Sequence, residues 1–154
     1  MRTNVRVVLY GGLIAGTLDL SAAFISSWLR AGVGPVRVMQ SIASGLLGAA
    51  AFTGGATSAA LGVVLHFLIA TVATAVFYFA SRTLRLLIKQ PITAGLLYGV
   101  AVYVFMNFVV IPLSAVPRRG GTPPLSGRII GLLIIMFCVG LPIALIVRRF
   151  ERPQ

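Results

Sequence analysis

Charged residues are scarce in this chain, and acidic residues are nearly absent. Only 10% of the 154 residues are charged, and just two, Asp19 and Glu151, are acidic. A soluble domain carries about a quarter of its residues as charged side chains, and a disordered chain is more polar still. The composition therefore excludes both classes. With 58% hydrophobic residues and a mean hydropathy of +1.03, the chain fits a lipid bilayer as its solvent.

Histidine and cysteine each occur only once, as His66 and Cys138. An HExxH zinc motif needs two histidines, a CxxC redox pair needs two cysteines, and haem or structural zinc sites take several such ligands. We therefore expect no cofactor and no metal ion. We interpret Cys138, which lies among aliphatic residues, as an ordinary apolar filler.

Other enzyme signatures are missing as well. Glu151 lies in the tail, too far from Asp19 to form a catalytic carboxylate pair, and no GxxxxGK[ST] or GxGxxG nucleotide motif occurs. A serine hydrolase inside the membrane stays formally open, because serine, histidine and aspartate all occur within apolar segments. The surroundings of Ser44 lack a GxSG setting, however, so we favour a role that is not enzymatic.

The thirteen basic residues fall into five small groups separated by long uncharged stretches. These groups are Arg2 and Arg6; Arg30 and Arg37; Arg82, Arg85 and Lys89; Arg118, Arg119 and Arg128; and Arg148, Arg149 and Arg152. This spacing is typical of a chain that crosses a membrane repeatedly and exposes its cations in the loops. It does not form the single basic face that nucleic-acid binding requires. We expect anionic lipids as the counter-charge and no nucleic-acid partner.

Four segments are long and apolar enough to cross a bilayer, which takes about twenty residues of helix. They are residues 7–29, 57–80, 92–116 and 129–147. Charges, glycines and prolines fill the stretches between them, for example around Pro91 and from Pro117 to Pro124. The sequence therefore predicts an all-α, polytopic membrane bundle that forms one transmembrane domain over residues 1–154.

Residues 35–52 form a fifth apolar segment that is too short for a clear crossing. Its uncharged part, residues 38–52, reaches about 22 Å as a helix, against a hydrocarbon core about 30 Å thick. We expect a short interfacial or re-entrant helix, with a fifth crossing as the alternative. Both topologies divide the cations eight to five between the two sides, and the four-span topology places both termini in the cytoplasm.

Small residues recur at four-residue steps in three of the predicted spans. We expect five glycines to allow close helix packing, because membrane helices associate through small residues and interhelical hydrogen bonds. They are Gly12, Gly16, Gly62, Gly95 and Gly99. The fourth span is almost entirely aliphatic, and we expect it to face lipid or the apolar surface of a partner.

Three polar side chains from three spans are predicted to lie near the middle of the membrane. At 1.5 Å per residue, Asp19, His66 and Asn107 fall within about 4 Å of the midplane. These three residues form a candidate polar site. Their neighbours in the sequence add three further candidates, Tyr103, Arg37 and Gln40. Arg37 is an alternative partner for Asp19. The site either fixes helix register or serves as a proton, ion or small-solute pathway.

Four segments carry a family resemblance: GLIAGTLDLSAAF, QSIASGLLGAAAF, LGVVLHFLIA and GLLYGVAVYVFMNFVVIPLS. Together they resemble a group of small, uncharacterised bacterial inner-membrane proteins with about four transmembrane helices. The resemblance covers residues 11–114. It implies a location in the bacterial inner membrane and a helical bundle, and it implies no activity.

These observations favour a small accessory or self-associating subunit of a membrane complex, because no loop is long enough to form a soluble domain. We expect a homo-oligomer or a larger membrane assembly. The alternative is a small oligomeric transporter or channel that uses Asp19 and His66 for proton or ion coupling.

Overall fold

The computed structural model describes residues 2–117 and 124–151, with side chains from Val5 onward, and this part of the chain is helical without any strand. Arg118, Arg119 and Arg152, three of the predicted loop and tail cations, lie outside the described residues. The helices are α1 (Arg2–Ala31), α2 (Pro35–Leu47), a 3-10 helix (Gly48–Phe52), α3 (Gly55–Thr83), α4 (Leu86–Lys89), α5 (Pro91–Leu113) and α6 (Leu125–Glu151).

Four of these helices, α1, α3, α5 and α6, are long and apolar enough to span a membrane. Their apolar parts are between 23 and 29 residues long, or about 34 to 43 Å at 1.5 Å per residue. The predicted all-α bundle with four long apolar helices is confirmed at this level. The structure contains no fifth helix of this length among the described residues.

Glycine and proline set the helix boundaries as their backbone chemistry requires. Pro35 and Pro91 occupy the first turns of α2 and α5, where the missing N–H is not needed. Gly48 ends α2 with a φ of 59°, and Gly55 begins α3 with a φ of 56°. A side chain is strained in that region of backbone conformation, so both turns favour glycine.

The long helices alternate in direction. Gly11 lies against Thr74 and Gly16 against Phe67, so α1 and α3 are antiparallel; α5 and α6 are antiparallel as well. As a result α1 begins and α6 ends at one end of the bundle, which we call the termini end, and the stacked rings of Tyr10 and Phe150 lie there. We call the opposite end the α2 end.

The short helix α2 stays at the α2 end rather than crossing the bundle. It begins beside the end of α1, its Met39 backbone lies against Gly62 in the first turns of α3, and the Gly45 carbonyl accepts a hydrogen bond of 2.9 Å from the Ala115 amide after α5. Both ends of α2 are therefore held by segments from the same end of the bundle. The described part of the chain thus has a short helix between the first two long helices, confined to one end of the bundle.

The helix α6 contributes one buried stripe to the apolar core. Val139, Ile143, Ala144 and Val147 are buried, and with Phe77 and other residues of α1, α3 and α5 they form the apolar core. One stripe of α6 is therefore buried, while much of its remaining surface is exposed, and our expectation that this span faces lipid or a partner stays a prediction. Glycines in α6 and α5 allow this burial, because backbones can approach closely there whatever the polarity of the side chains.

Candidate functional site

Asp19 and His66 lie side by side near the middle of the bundle, one on α1 and the other on α3. The Nε2 atom of His66 is 3.9 Å from Oδ2 of Asp19 and 2.9 Å from the backbone oxygen of Gly16. The fold thus brings together two of the predicted site residues. It does so because glycines at positions 12 and 16 let α1 approach α3.

The short distance from His66 to Gly16 defines the hydrogen-bond roles. A carbonyl oxygen only accepts, so Nε2 carries a proton and donates to it. The carboxyl of Asp19 is too far for a direct hydrogen bond, although it lies within ion-pair range. The imidazole is therefore a polar bridge between α1 and α3, with a carboxyl group at its edge.

The two side chains are enclosed but not sealed. Their exposed fractions are 12% for His66 and 21% for Asp19. We call this pair, which α1 and α3 supply, the Asp19–His66 site. On α6, Cys138 is a half-buried free cysteine, and our interpretation of it as an apolar filler stays a prediction.

The third member of the predicted polar cluster, Asn107, lies elsewhere. Its side chain is exposed on the surface of α5, and its Nδ2 donates to the backbone oxygen of Tyr103 at 2.8 Å. Tyr103 itself is half-buried, and its ring lies near Gly131 of α6. The structure records no contact from Asn107 or Tyr103 to the Asp19–His66 site among the described residues.

Helix geometry explains the separation of Asn107. Twelve residues separate it from Gly95, and at 100° per residue the four-residue steps drift by about 120° around the helix. Residues 106–110 of α5 also form a π turn, which changes the register further. Gly95 and Gly99 therefore face α6, while Asn107 faces outward.

The two predicted residues of α2, Arg37 and Gln40, hold the segment that follows α2. The Nη1 atom of Arg37 donates to the Phe52 oxygen at 3.3 Å, and its guanidinium lies 4.2 Å from the centre of the Phe52 ring. Gln40 donates to the Gly55 oxygen at 3.2 Å. Both side chains therefore fasten the turn into α3, and neither contacts Asp19.

All five glycines predicted to pack lie against a neighbouring helix. A methyl group added at Gly12 would meet Thr71, at Gly16 the Phe67 ring, and at Gly62 the backbone of Met39. In the second helix pair, Gly95 and Gly99 face the α6 backbone between residues 135 and 141. The small-residue rows thus mark two helix pairs, α1 with α3 and α5 with α6, and the contact of α3 with α2.

The Asp19–His66 site has little capacity for metal or nucleophilic chemistry. The described residues contain no group of three histidine, cysteine or acidic side chains placed to hold a metal ion. The Nε2 atom of His66 already donates to the Gly16 oxygen, and within the part of the chain that the structure describes no hydroxyl or thiol hydrogen-bonds to the ring. The site is suited to holding helices together or to binding a proton or a small cation.

Comparison with known proteins adds no family to this picture. The chain matches no family model, no curated protein and no solved structure. Fold and site together define the class: a helical bundle with four helices long enough to span a membrane and an Asp–His pair between the first two.

Proposed function

We propose that this chain is a multi-pass protein of the bacterial inner membrane that acts as a small, non-enzymatic, self-associating component of a membrane assembly. Four long apolar helices and their exposed aliphatic surfaces support the membrane location. The eight-to-five division of cations favours cytoplasmic termini. The resemblance to small inner-membrane proteins supports the choice of membrane.

The proposal of self-association rests on the outer face of α5. This helix packs on α6 through its glycines and on α3 through Tyr98. The side opposite the glycines exposes large residues such as Leu97 at 65% and Phe108 at 75%. Asn107 lies beside that apolar face with its amide in the same exposed surface. Among the described residues, the Asn107 carboxamide oxygen accepts no hydrogen bond.

Two exposed hydroxyls of α1 already use their single donor. On α1, the hydroxyls of Thr17 and Ser21 both donate to carbonyls of their own helix at 2.7 Å. A carboxamide has two donors and an acceptor, and Asn107 uses one donor internally. A polar group with unused capacity is costly against lipid, so this face of α5 favours a protein partner.

A second copy of the same chain fits this face by symmetry. Copies inserted in the same direction are related by a twofold axis along the membrane normal, so α5 meets α5 in parallel and Asn107 meets Asn107. A carboxamide both donates and accepts and can therefore pair with itself. The pairing would use the oxygen that the single chain leaves free.

The test is to replace Asn107 with Leu and to measure the mass of the protein in bicelles by sedimentation equilibrium. An interhelical hydrogen bond of this type contributes about 1–2 kcal/mol in model helices, so we expect association to weaken about fivefold to thirtyfold. Val104→Leu changes a neighbouring exposed position of α5 without removing a polar group, and it should associate as the wild type does.

Two results would contradict the proposal. One is a wild-type protein that is monomeric in bicelles and purifies without other proteins. The other is an Asn107→Leu variant that associates as strongly as the wild type, since the amide would then serve only the π turn of α5. Circular dichroism of each variant shows whether the helices persist.

A second candidate function is proton or ion coupling, and the closeness of Asp19 and His66 within the bundle favours it. If the pair conducts protons or cations, Asp19→Asn should abolish flux in proteoliposomes and leave the helical content unchanged. Wild-type vesicles that show no flux above protein-free vesicles, under a pH gradient or a sodium gradient, would overturn this candidate.

A further inference from the structure

A strongly basic pocket lies at the termini end of the bundle, where α3, α4 and α6 meet. We call it the termini-end pocket, and its volume is about 550 Å³. It is lined by Ser81, Arg82, Arg85, Ile88, Lys89, Arg148 and Glu151. Cations from three separate helices thus surround one cavity. This convergence could not be seen in the sequence, where Arg148 is 59 residues beyond Lys89.

The charges in the termini-end pocket are not balanced by the protein. Four cationic side chains line it against one carboxylate, Glu151, and the whole chain has only one other acidic residue, Asp19. Within the part of the chain that the structure describes, no nitrogen of these four side chains lies within 4.0 Å of an acidic oxygen. The excess positive charge therefore favours an external anion.

The type of cation indicates the chemistry of that anion. Three of the four are arginines, whose planar guanidinium groups match the oxygens of a phosphate group and bind them through paired hydrogen bonds. Ile88 adds an apolar wall. The pocket lies where the long helices end, which is the level of lipid headgroups if the helices span a bilayer. Basic pockets at this level bind anionic phospholipids.

A second pocket, at the α2 end, is a weaker candidate for an anion-binding site. Its volume is about 400 Å³ and it contains two arginines, Arg30 and Arg37. Arg37 is already engaged by the oxygen and ring of Phe52, and Arg30 lies against Gly127. The termini-end pocket therefore has both the larger number of cations and the larger volume.

We propose that the termini-end pocket is a binding site for a phosphate-bearing anion, supplied by the headgroup of an anionic phospholipid or by free phosphate. The lipid source rests on the membrane insertion proposed above, whereas the phosphate chemistry does not. The site is independent of self-association, since the pocket and the Asn107 face are formed by different parts of the bundle.

The experiment uses the full chain, purified in a non-ionic detergent and stripped of lipid. It is titrated with diphosphatidylglycerol, phosphatidylglycerol or the zwitterionic phosphatidylcholine, and native mass spectrometry counts the bound lipids. In a separate arm, inorganic phosphate is added and thermal unfolding is followed. We expect diphosphatidylglycerol or phosphatidylglycerol to bind at a low, defined number and phosphatidylcholine to bind much more weakly.

The double variant Arg82→Gln with Arg148→Gln removes two charges from the pocket, and we expect it to bind anionic lipid at least about tenfold more weakly. The matched control is Arg6→Gln with Arg149→Gln, which removes two charges from the same end of the bundle at exposed positions that do not line the pocket. The control should retain most of the binding.

Each outcome has a clear meaning. Loss of lipid binding in the pocket variant alone supports a headgroup site, and stabilisation by inorganic phosphate that the pocket variant loses supports a free-phosphate site. Equal loss in both variants, or equal binding of phosphatidylcholine and anionic lipid together with no effect of phosphate, would overturn the proposal. Circular dichroism and the mass in bicelles show independently whether each variant folds and self-associates.

Discussion

The two antiparallel helix pairs of this bundle are held together in different ways. In α5 and α6, Gly95, Gly99 and Gly140 bring the two backbones into direct contact, and no side-chain hydrogen bond joins the helices among the described residues. The pair α1 and α3 also packs through glycine, but it adds the bond from His66 to Gly16 and the nearby carboxyl of Asp19. One pair uses shape alone, and the other combines shape with polarity.

This difference teaches which property places a helix in an apolar bundle. The helix α6 has no strongly hydrogen-bonding side chain between residues 129 and 147, yet it lies in the core. The helix α5 has two tyrosines and an asparagine, yet one of its sides is bare. Close approach of backbones at glycine therefore determines which helices pack together in this bundle, and the hydrogen bonds add stability to those contacts.

The largest effect is expected at Gly140, where a methyl group would lie 2.6 Å from the Gly99 nitrogen and against the Gly95 oxygen. These are backbone atoms that cannot turn aside, so Gly140→Ala must push α5 and α6 apart. We expect it to lower the free energy of unfolding by about 2 kcal/mol, from a typical overpacking cost of about 1–3 kcal/mol. The measurement is SDS-induced unfolding in mixed micelles, followed by circular dichroism.

Gly131→Ala is the matched control on the same helix. A methyl group there would lie 3.5 Å from the Tyr103 ring, which is an ordinary contact, and alanine favours the helix by about 0.5–1 kcal/mol over glycine. We expect this variant to unfold no earlier than the wild type. If both variants lost the same free energy of unfolding, the close backbone contact at Gly140 would not be the cause of the loss, and the prediction would be wrong.

The number and type of helices could be predicted because each depends on local composition. Twenty apolar residues between charged or proline-containing loops require a helix whatever its neighbours are. The row Ser58, Gly62, Ala70 and Thr74 on α3 also remains buried, although four-residue steps drift around a helix. It remains so because α3 changes partners along its length, from α2 at Gly62 to α1 at Ala70 and Thr74.

The placement of the polar groups could be predicted only in part. Asp19 and His66 meet because both lie beside small residues on facing helices, a pattern that is visible in the sequence. Asn107 faces outward because four-residue steps drift around α5, which the sequence shows, and because residues 106–110 form a π turn, which composition does not predict.

The smaller expected effect concerns the polar bridge between α1 and α3. His66→Leu removes the bond to the Gly16 oxygen, and an interhelical hydrogen bond in a membrane protein contributes about 0.6 kcal/mol on average and up to about 1.7. The same unfolding measurement should therefore show a loss of about 1 kcal/mol, less than at Gly140. The α1–α3 pair would then depend on packing first, as α5–α6 does.

A double-mutant cycle with Asp19→Asn shows whether the carboxyl takes part in this bridge. Because Nε2 of His66 already donates to Gly16 and lies 3.9 Å from the Asp19 carboxyl, beyond hydrogen-bond range, we expect a coupling energy of about 0.5 kcal/mol, the lower end for neighbouring residues. A coupling energy above about 1.5 kcal/mol would instead indicate a charged Asp19–His66 pair, since opposite charges in a poorly solvated site interact strongly. An ion pair would then stabilise α1 against α3, whereas α5 and α6 are held by packing alone. That result would also strengthen the candidate role in proton or ion coupling.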